Sequence, residues 1–156
     1  MRTEDVQAVK VGADDAKLRR KSVTGRFPVL EHASEGVTVC DSLPIARYLA
    51  REHPQFTDGA NAAQKAQIDT WVDYIQANVV PVASRVTDQV LGRVPSDPRT
   101  FANSLNDLKQ ALQALDAHLA LRNFLVGYQM SLADALLVST LSLCFELVLD
   151  KKTRDD

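Results

Sequence analysis

The sequence has few residues of the kinds that form disulfides and metal sites. Its 156 residues include two cysteines and three histidines, and none of them stands in the spacing that metal ligands usually show. Cys40 and Cys144 lie far apart in the chain, so we interpret them as reduced thiols. These shortages argue against a zinc enzyme and against a small disulfide-linked domain. No metal-binding residue is predicted.

The chain also lacks a basic excess and a long apolar run. Its formal net charge is −2 and its pI is about 5.9, whereas proteins that bind nucleic acid through phosphates usually carry excess positive charge. No stretch approaches the roughly 18 consecutive apolar residues of a membrane span, and residues 1–10 lack the apolar run of a secretory signal. We therefore predict a cytoplasmic protein with no direct nucleic-acid contact and no membrane association.

The first forty residues have β-like patterns. Residues 6–11 alternate apolar and polar side chains, and residues 27–30 and 37–40 are two further strand candidates. Residues 33–36, between the last two strands, read as a hairpin turn in which Gly36 can adopt a positive φ. The sequence therefore predicts a small sheet in the first part of the chain.

From Asp41 onward the pattern is helical. Asp41 or Ser42 is expected to cap a helix that ends near Pro54, and residues 55–61 form a linker. Pro81 falls inside the apolar pattern of the next helix, where it should kink or break the helix. The stripe of that helix consists of Ile68, Trp71, Val72, Ile75 and Val79.

Two further helices are predicted after Pro81. Gly92 is expected to be a helix C-cap, and Pro95 and Pro98 mark a loop. The next helix has an apolar seam that could indicate a coiled coil, but we interpret it as core because it covers fewer than about three full heptads. The seam consists of Phe101, Leu105, Leu108, Leu112, Leu115 and Leu119. The last helix, residues 131–149, is apolar on most sides and is predicted to be deeply buried.

The segments around Phe27 and Asp41 form a constellation that can hold a peptide. Pro28 stands at the start of a strand, where it cannot donate to a ladder. A cis bond between Phe27 and Pro28 would turn the main-chain N–H and C=O of Phe27 outward, so that a peptide could pair with them. Asp41 and Ser42 then open a helix, and a helix N-terminus attracts a carboxylate.

This constellation resembles the glutathione site of the glutathione transferase superfamily. The resemblance implies that Phe27, Pro28, Asp41 and Ser42 occupy ligand-binding positions. It makes glutathione a candidate ligand, and no cofactor is required. The alternative is that the same residues are needed only to build the thioredoxin-like half of such a protein.

The loop before the last helix carries a second family mark. Ser131 as N-cap and Asp134 three residues later form a capping box, so their predicted role is structural. A Phe-Leu-Val-Gly loop that leads into Ser-Leu-Ala-Asp is typical of the helical half of transferase-like proteins. The resemblance implies an α+β, mostly α fold, with a partial thioredoxin-like domain at residues 1–54, a helical domain at 60–150 and a charged tail at 151–156.

Three stretches are similar to the gamma subunits of translation elongation factor 1, namely residues 79–84, 115–119 and 124–150. That resemblance implies a scaffold that binds other elongation factor 1 subunits as a homo- or hetero-oligomer. The stretch that opens the last helix is also similar to transferase-like domains of the multi-tRNA-synthetase assembly. An interaction domain of that assembly and a glutathione transferase enzyme are therefore the two alternatives.

The chain departs from the transferases where their catalytic residue lies. In that family a Tyr, Ser or Cys follows the first strand, but here residues 6–11 match the second strand best. No catalytic residue is predicted, because activating a thiol needs a donor that stabilises the thiolate, and Ser22 and Thr24 match no such motif. The basic residues 17–21 are interpreted as a solvent-exposed face. We expect either a fragment of a larger protein or a short homologue whose uncovered surfaces bind a partner.

Overall fold

A computed structural model describes residues 19–52, 61–95 and 97–149, together with Ala16 and Gly59. The chain divides into two compact units, Met1–Asp58 and Gly59–Asp156. The strand predicted at 6–11 and the tail predicted at 151–156 lie outside the described residues. The elements are β1 (Val29–His32), β2 (Val37–Cys40), α1 (Ser42–Glu52), α2 (Ala62–Tyr74), a π-helical segment (Ile75–Val79), α3 (Val80–Val90), α4 (Pro98–Leu119) and α5 (Leu132–Leu147). The predicted α+β, mostly α class is confirmed.

The first unit contains an antiparallel hairpin in which Val29 lies opposite Cys40. Its turn is the predicted one, and Gly36 has a φ of 65°. The prediction that the first strand begins at residue 27 was wrong, because the ladder begins at Val29. Pro28 has no N–H to donate, but its carbonyl accepts a hydrogen bond from the Asp41 amide at 3.0 Å. Pro28 therefore lies one residue before the ladder, and its hydrogen bond with Asp41 extends the pairing of the two chain segments by one residue.

Helix α1 packs against both strands of this hairpin. The ring of Tyr48 meets the ring of His32 edge to face, with centroids 5.9 Å apart, and its hydroxyl is hydrogen-bonded to Nδ1 of His32. Desolvation raises the pKa of Tyr48, and the carboxylates of Glu52 and Glu35 raise it further. This pair joins the helix to the end of β1.

The second unit is helical, and its core lies where α3 packs against α4 and α5. The most deeply buried side chains come from every one of its helical elements: Ile68, Val72, Ile75, Val79, Val86, Leu108, Leu115 and Cys144. Leu108 and Leu115 confirm the core interpretation for the middle of the leucine seam, and its other four residues are half-buried. Burial raises the pKa of the Cys144 thiol, whose Sγ lies 3.9 Å from the carbonyl oxygen of Ala83.

The effect of Pro81 appears just before the proline itself. The chain stays helical through this region, but Ile75–Val79 forms a π-helical segment and Pro81 lies in the first turn of α3. The Val80 amide donates to the carbonyl of Ile75, five residues earlier. A proline removes one amide donor and crowds the preceding turn, and a wider turn accommodates both effects. The predicted break is therefore absent, and the irregularity near Pro81 is a π segment.

The end of α3 follows the prediction. Gly92 has a φ of 67°, and its amide donates to the carbonyl of Gln89. The Arg93 amide donates to the carbonyl of Asp88 at 2.9 Å. These two bonds form a Schellman motif, which satisfies carbonyls that the helix end would otherwise leave unpaired.

The prediction that α5 is deeply buried was wrong for much of the helix. One side, which includes Leu132, Ala133 and Cys144, is buried where α5 meets α2, α3 and the π segment. On the remaining surface Val138 is 68% exposed and Phe145 is 47% exposed. Apolar composition predicted burial on all sides, but the neighbouring helices among the described residues cover only one. None of the described helices combines the length and the hydropathy that a membrane crossing requires.

Helix α4 begins earlier than the leucine seam indicated. Asp97 is its N-cap, and Pro98 occupies the first turn instead of a loop. Oδ1 of Asp97 accepts from the amides of Arg99 and Thr100 at 2.9 and 3.0 Å, and Oδ2 accepts from the Thr100 hydroxyl at 2.6 Å. The hydroxyl bond is the largest cause of a lowered pKa at Asp97, followed by the amide bond of Thr100. Proline suits this position because the first amides of a helix have no partner within the helix.

The lowered pKa of Asp97 predicts an acid-dependent loss of stability. Its contribution is complete above the ordinary pKa of 3.8 and disappears as the pH falls through the lower pKa of the folded state. Asp97→Asn keeps a capping side chain that does not titrate. Asparagine lacks the charge and the second acceptor oxygen that the Thr100 hydroxyl uses. We therefore expect the variant to be less stable than the parent near neutral pH and to lose less stability below about pH 4. Urea unfolding across this pH range measures the free energy of unfolding of both proteins. The same loss of stability in parent and variant below about pH 4 would contradict the prediction.

Candidate functional site

A hydroxyl pair lies in the turn that precedes Phe27. Ser22 is buried, and its Oγ lies 3.1 Å from Oγ1 of Thr24. The Thr24 hydroxyl reaches Oδ1 of Asp41 at 3.5 Å, and its oxygen accepts from the Arg26 amide at 3.4 Å. The turn is closed by the Gly25 amide, which donates to the carbonyl of Ser22. These contacts connect the turn to the start of α1.

The bond between Phe27 and Pro28 is cis, as the sequence analysis anticipated. The Phe27 side chain is half-buried, and the guanidinium of Arg19 lies 5.4 Å from the centre of its ring. Within the described part of the chain, the main-chain N–H and C=O of Phe27 have no hydrogen-bond partner. A bound peptide could therefore pair with the main chain at this residue.

Asp41 adopts a left-handed backbone conformation, with a φ of 69°. The conformation is strained for a residue other than glycine, and hydrogen bonds on both sides hold it. Its amide donates to the carbonyl of Pro28, and its carbonyl accepts from the Ile45 amide at 3.1 Å. Its carboxylate contacts Thr24 and lies 3.5 Å from Nε of Arg26. The carboxylate is thus held between the turn and the first turn of α1.

These residues place three kinds of binding group close together. The structure brings Phe27, Pro28 and Asp41 together through the Asp41–Pro28 hydrogen bond, and Ser42 begins α1 with an exposed side chain. The helix N-terminus suits an anion, the Asp41 carboxylate suits an ammonium group, and the Phe27 main chain suits an extended peptide. The described residues contain no group of three His, Cys, Asp or Glu side chains that could hold a metal ion.

The same geometry offers little support for thiol activation. A thiolate beside Thr24 would lie close to the Asp41 carboxylate, and like charges disfavour ionisation of the thiol. The Thr24 hydroxyl already contacts Ser22 and Asp41. A hydroxyl that stabilises a thiolate must be free to donate to it. The geometry is therefore less suited to a thiolate than to a cationic group.

The predicted capping box at Ser131 and Asp134 is present at the start of α5. One oxygen of Asp134 accepts from the amide and the hydroxyl of Ser131, at 2.8 and 2.7 Å. Its other oxygen accepts from the Leu125 amide at 2.8 Å. A single carboxylate therefore fixes both the start of the helix and the loop that leads into it.

Sequence reasoning missed the second half of this network. Nε2 of His118 is hydrogen-bonded to the carbonyl of Leu125 at 2.8 Å, and its ring lies 4.4 Å from that of Trp71. Asp134 and His118 thus hold the two main-chain groups of Leu125. The sequence signal for this network was the aspartate at the third position of the capping box, where glutamate is commoner. The shorter side chain of Asp134 keeps its carboxylate near the loop that contains Leu125.

The chain matches known proteins over most of its length. Residues 4–57 match the family described as Glutathione S-transferase, N-terminal domain, and residues 85–156 match Glutathione S-transferase, C-terminal domain. Elongation factor 1-gamma of Artemia salina is 34% identical over 130 residues, which are 83% of this chain and 29% of that protein. The Sus scrofa protein of the same name is 33% identical over 135 residues, which are 86% of this chain and 30% of that protein. The chain therefore spans about three tenths of the length of these relatives.

The fold is shared with solved transferases. The crystal structure of a class Gtt2 glutathione S-transferase from Vibrio parahaemolyticus superposes with a TM-score of 0.72 at 21% sequence identity. The match covers 96% of this chain and 72% of that one. The superposition shows the fold, and the two family matches, at residues 4–57 and 85–156, show that the chain belongs to the glutathione S-transferase-like proteins.

Proposed function

We propose that the chain is a non-catalytic scaffold that binds partner subunits of translation elongation factor 1 during protein synthesis in the cytoplasm. The observation that carries the proposal is the 33–34% identity to elongation factor 1-gamma over 83–86% of this chain. That similarity includes both the hairpin unit and the helical unit. The proposed domains are residues 1–54 and 60–150, with the charged tail at 151–156.

The chemistry of the Phe27 region supports binding over catalysis. Asp41 and the hydroxyls of Ser22 and Thr24 already contact one another, so none of the three is a ready donor to a thiolate. No catalytic residue, metal or required cofactor belongs to the proposal. Phe27, Pro28, Asp41 and Ser42 are proposed as a ligand-binding group, with glutathione as the candidate ligand.

The outward surface of α5 supports the proposed oligomer. Three apolar side chains of this helix are exposed to solvent: Val138 by 68%, Leu143 by 45% and Phe145 by 47%. The helix has few charged residues that could keep this surface in water. Exposed apolar groups of this kind are common at protein interfaces. A homo- or hetero-oligomer would cover them.

The experiment is a binding assay with purified elongation factor 1 subunits, followed by size exclusion with light scattering. We expect a stable complex with at least one subunit and no monomeric chain at micromolar concentration. Val138→Ser with Phe145→Ser should weaken the complex, whereas Asp116→Ala, an exposed change on α4, should leave it intact. A monodisperse monomer with no retained subunit would contradict the proposal. Retention of tRNA synthetases instead of elongation factor subunits would favour the synthetase assembly.

A glutathione transferase is the second candidate. The main chain of Phe27 favours it, because its N–H and C=O have no hydrogen-bond partner within the described ranges and lie close to Asp41. Its test is glutathione conjugation to an aromatic electrophile, alongside retention on immobilised glutathione. The scaffold proposal expects no turnover. Turnover that disappears in Asp41→Ala or Ser42→Ala and persists in Asp116→Ala would establish the enzyme instead.

A further inference from the structure

Residues 19–26, here called the basic turn, carry positive charge that carboxylates among the described residues neutralise only in part. Lys21 pairs with Glu31 at 2.7 Å, and Arg26 lies 3.5 Å from Asp41. Arg19 and Arg20 are exposed and have no carboxylate partner in the part of the chain that the structure describes. The turn thus concentrates unneutralised charge on a chain whose formal net charge is −2.

The guanidinium of Arg19 is held in place by the protein. It lies over the Phe27 ring at 5.4 Å, and its Nη1 donates to the carbonyl of Gly25 at 3.2 Å. A guanidinium has five N–H donors, so the others remain able to bind a carboxylate. Because the side chain is already ordered, binding costs less conformational entropy than it would for a free arginine. The sequence suggested only a solvated basic face here.

An apolar side chain and free main-chain groups complete this surface. Val23 lies between the cations in sequence and is 96% exposed. The N–H and C=O of Phe27, which have no hydrogen-bond partner among the residues that the structure describes, follow directly after the turn. Cations, an apolar contact and main-chain donors and acceptors are the groups that an extended peptide uses.

We propose that the basic turn binds an extended acidic segment of a partner protein, whose carboxylates pair with Arg19 and Arg20 and whose apolar side chain contacts Val23. The inference rests on the proposed scaffold function and gives the chemistry of the partner. Guanidinium groups bind carboxylates in bidentate pairs. A nucleic acid fits less well, because single strands bind by stacking on exposed rings, and the Phe27 ring is half-buried beneath Arg19.

The test uses fluorescence anisotropy with the whole chain. The probe is a labelled peptide of about twelve residues that alternates glutamate and valine, and the comparison peptide has glutamine in place of glutamate. We expect Arg19→Gln with Arg20→Gln to weaken binding of the acidic peptide about tenfold. Val23→Ser should weaken it several-fold. The matched control is Arg99→Gln with Arg122→Gln, two exposed arginines of the second unit that have no carboxylate partner among the described residues. It removes the same charge and should change affinity less than about twofold.

Several outcomes would overturn the inference. They are equal binding of the glutamine peptide, equal loss in the control pair, absence of binding at millimolar peptide, and tighter binding of a single-stranded RNA of equal charge. Circular dichroism checks that each variant folds. If the variant with both Arg19 and Arg20 replaced does not fold, two other measurements test the inference. Val23→Ser should still weaken binding of the acidic peptide, and binding by the parent should weaken as the salt concentration rises. Retention of elongation factor subunits without peptide binding would reject this inference alone, and peptide binding without retention would reject only the scaffold function.

Discussion

Replacing Leu108 with alanine is expected to lower the free energy of unfolding by about 2–5 kcal/mol. Leu108 is fully buried on α4, which packs against α3 and the π segment. Truncation removes apolar contacts and leaves a cavity that rigid helices on both sides cannot fill. Denaturant unfolding, followed by the fluorescence of the single tryptophan, Trp71, measures the loss.

The matched control for this change is Leu143→Ala on α5. Leu143 is 45% exposed, so the same truncation should cost less than about 1 kcal/mol. Equal losses at Leu108 and Leu143 would mean that the outward surface of α5 is as well packed as the core. That result would contradict the assignment of the core to the α3–α4–α5 contact.

Replacing Asp134 with alanine is expected to cost about 2–4 kcal/mol. The change removes three hydrogen bonds, two from Ser131 and one from the Leu125 amide. Ser131 is fully buried, so its amide and hydroxyl would lose their partner where water cannot replace it. The loop before α5 would also lose the contact that fixes Leu125.

Two variants separate the network from the negative charge. Asp134→Asn keeps the shape and one acceptor oxygen, so an intermediate loss is expected. Asp116→Ala removes an exposed carboxylate of α4 and should change stability by less than about 0.5 kcal/mol. If Asp134→Ala lowered the free energy of unfolding as little as Asp116→Ala does, the hydrogen-bond network of Asp134 would not stabilise the fold.

The elements that the sequence predicted well are those with strong local signals. Gly36 and Gly92 both have a positive φ where a turn and a helix end require it. The Ser131–Asp134 spacing predicted the capping box because a capping box involves residues of one helical turn. The position of Pro28 at the start of a strand suggested a cis bond as one backbone solution, and the bond is cis.

Features that depend on distant residues could not be predicted in the same way. The apolar composition of α5 could not show which of its sides the neighbouring helices cover. The Leu125 bond to Asp134 spans nine residues, and the Arg19 contact with Phe27 needs the folded turn. The left-handed Asp41 is fixed by its bond to Pro28 across the hairpin. In each case tertiary contacts, not residue preference, decide the outcome.

The burial of Cys144 makes the chain suitable for optical measurement. Cys144 is fully buried in the second unit, whereas Cys40 in the first unit is only half-buried, and the sequence holds no other cysteine. A maleimide dye should therefore label Cys40 selectively in the native protein. Trp71, in the second unit, reports on that unit through its intrinsic fluorescence. The natural sequence thus provides one spectroscopic reporter on each side of the division at Asp58–Gly59, with no engineered residue.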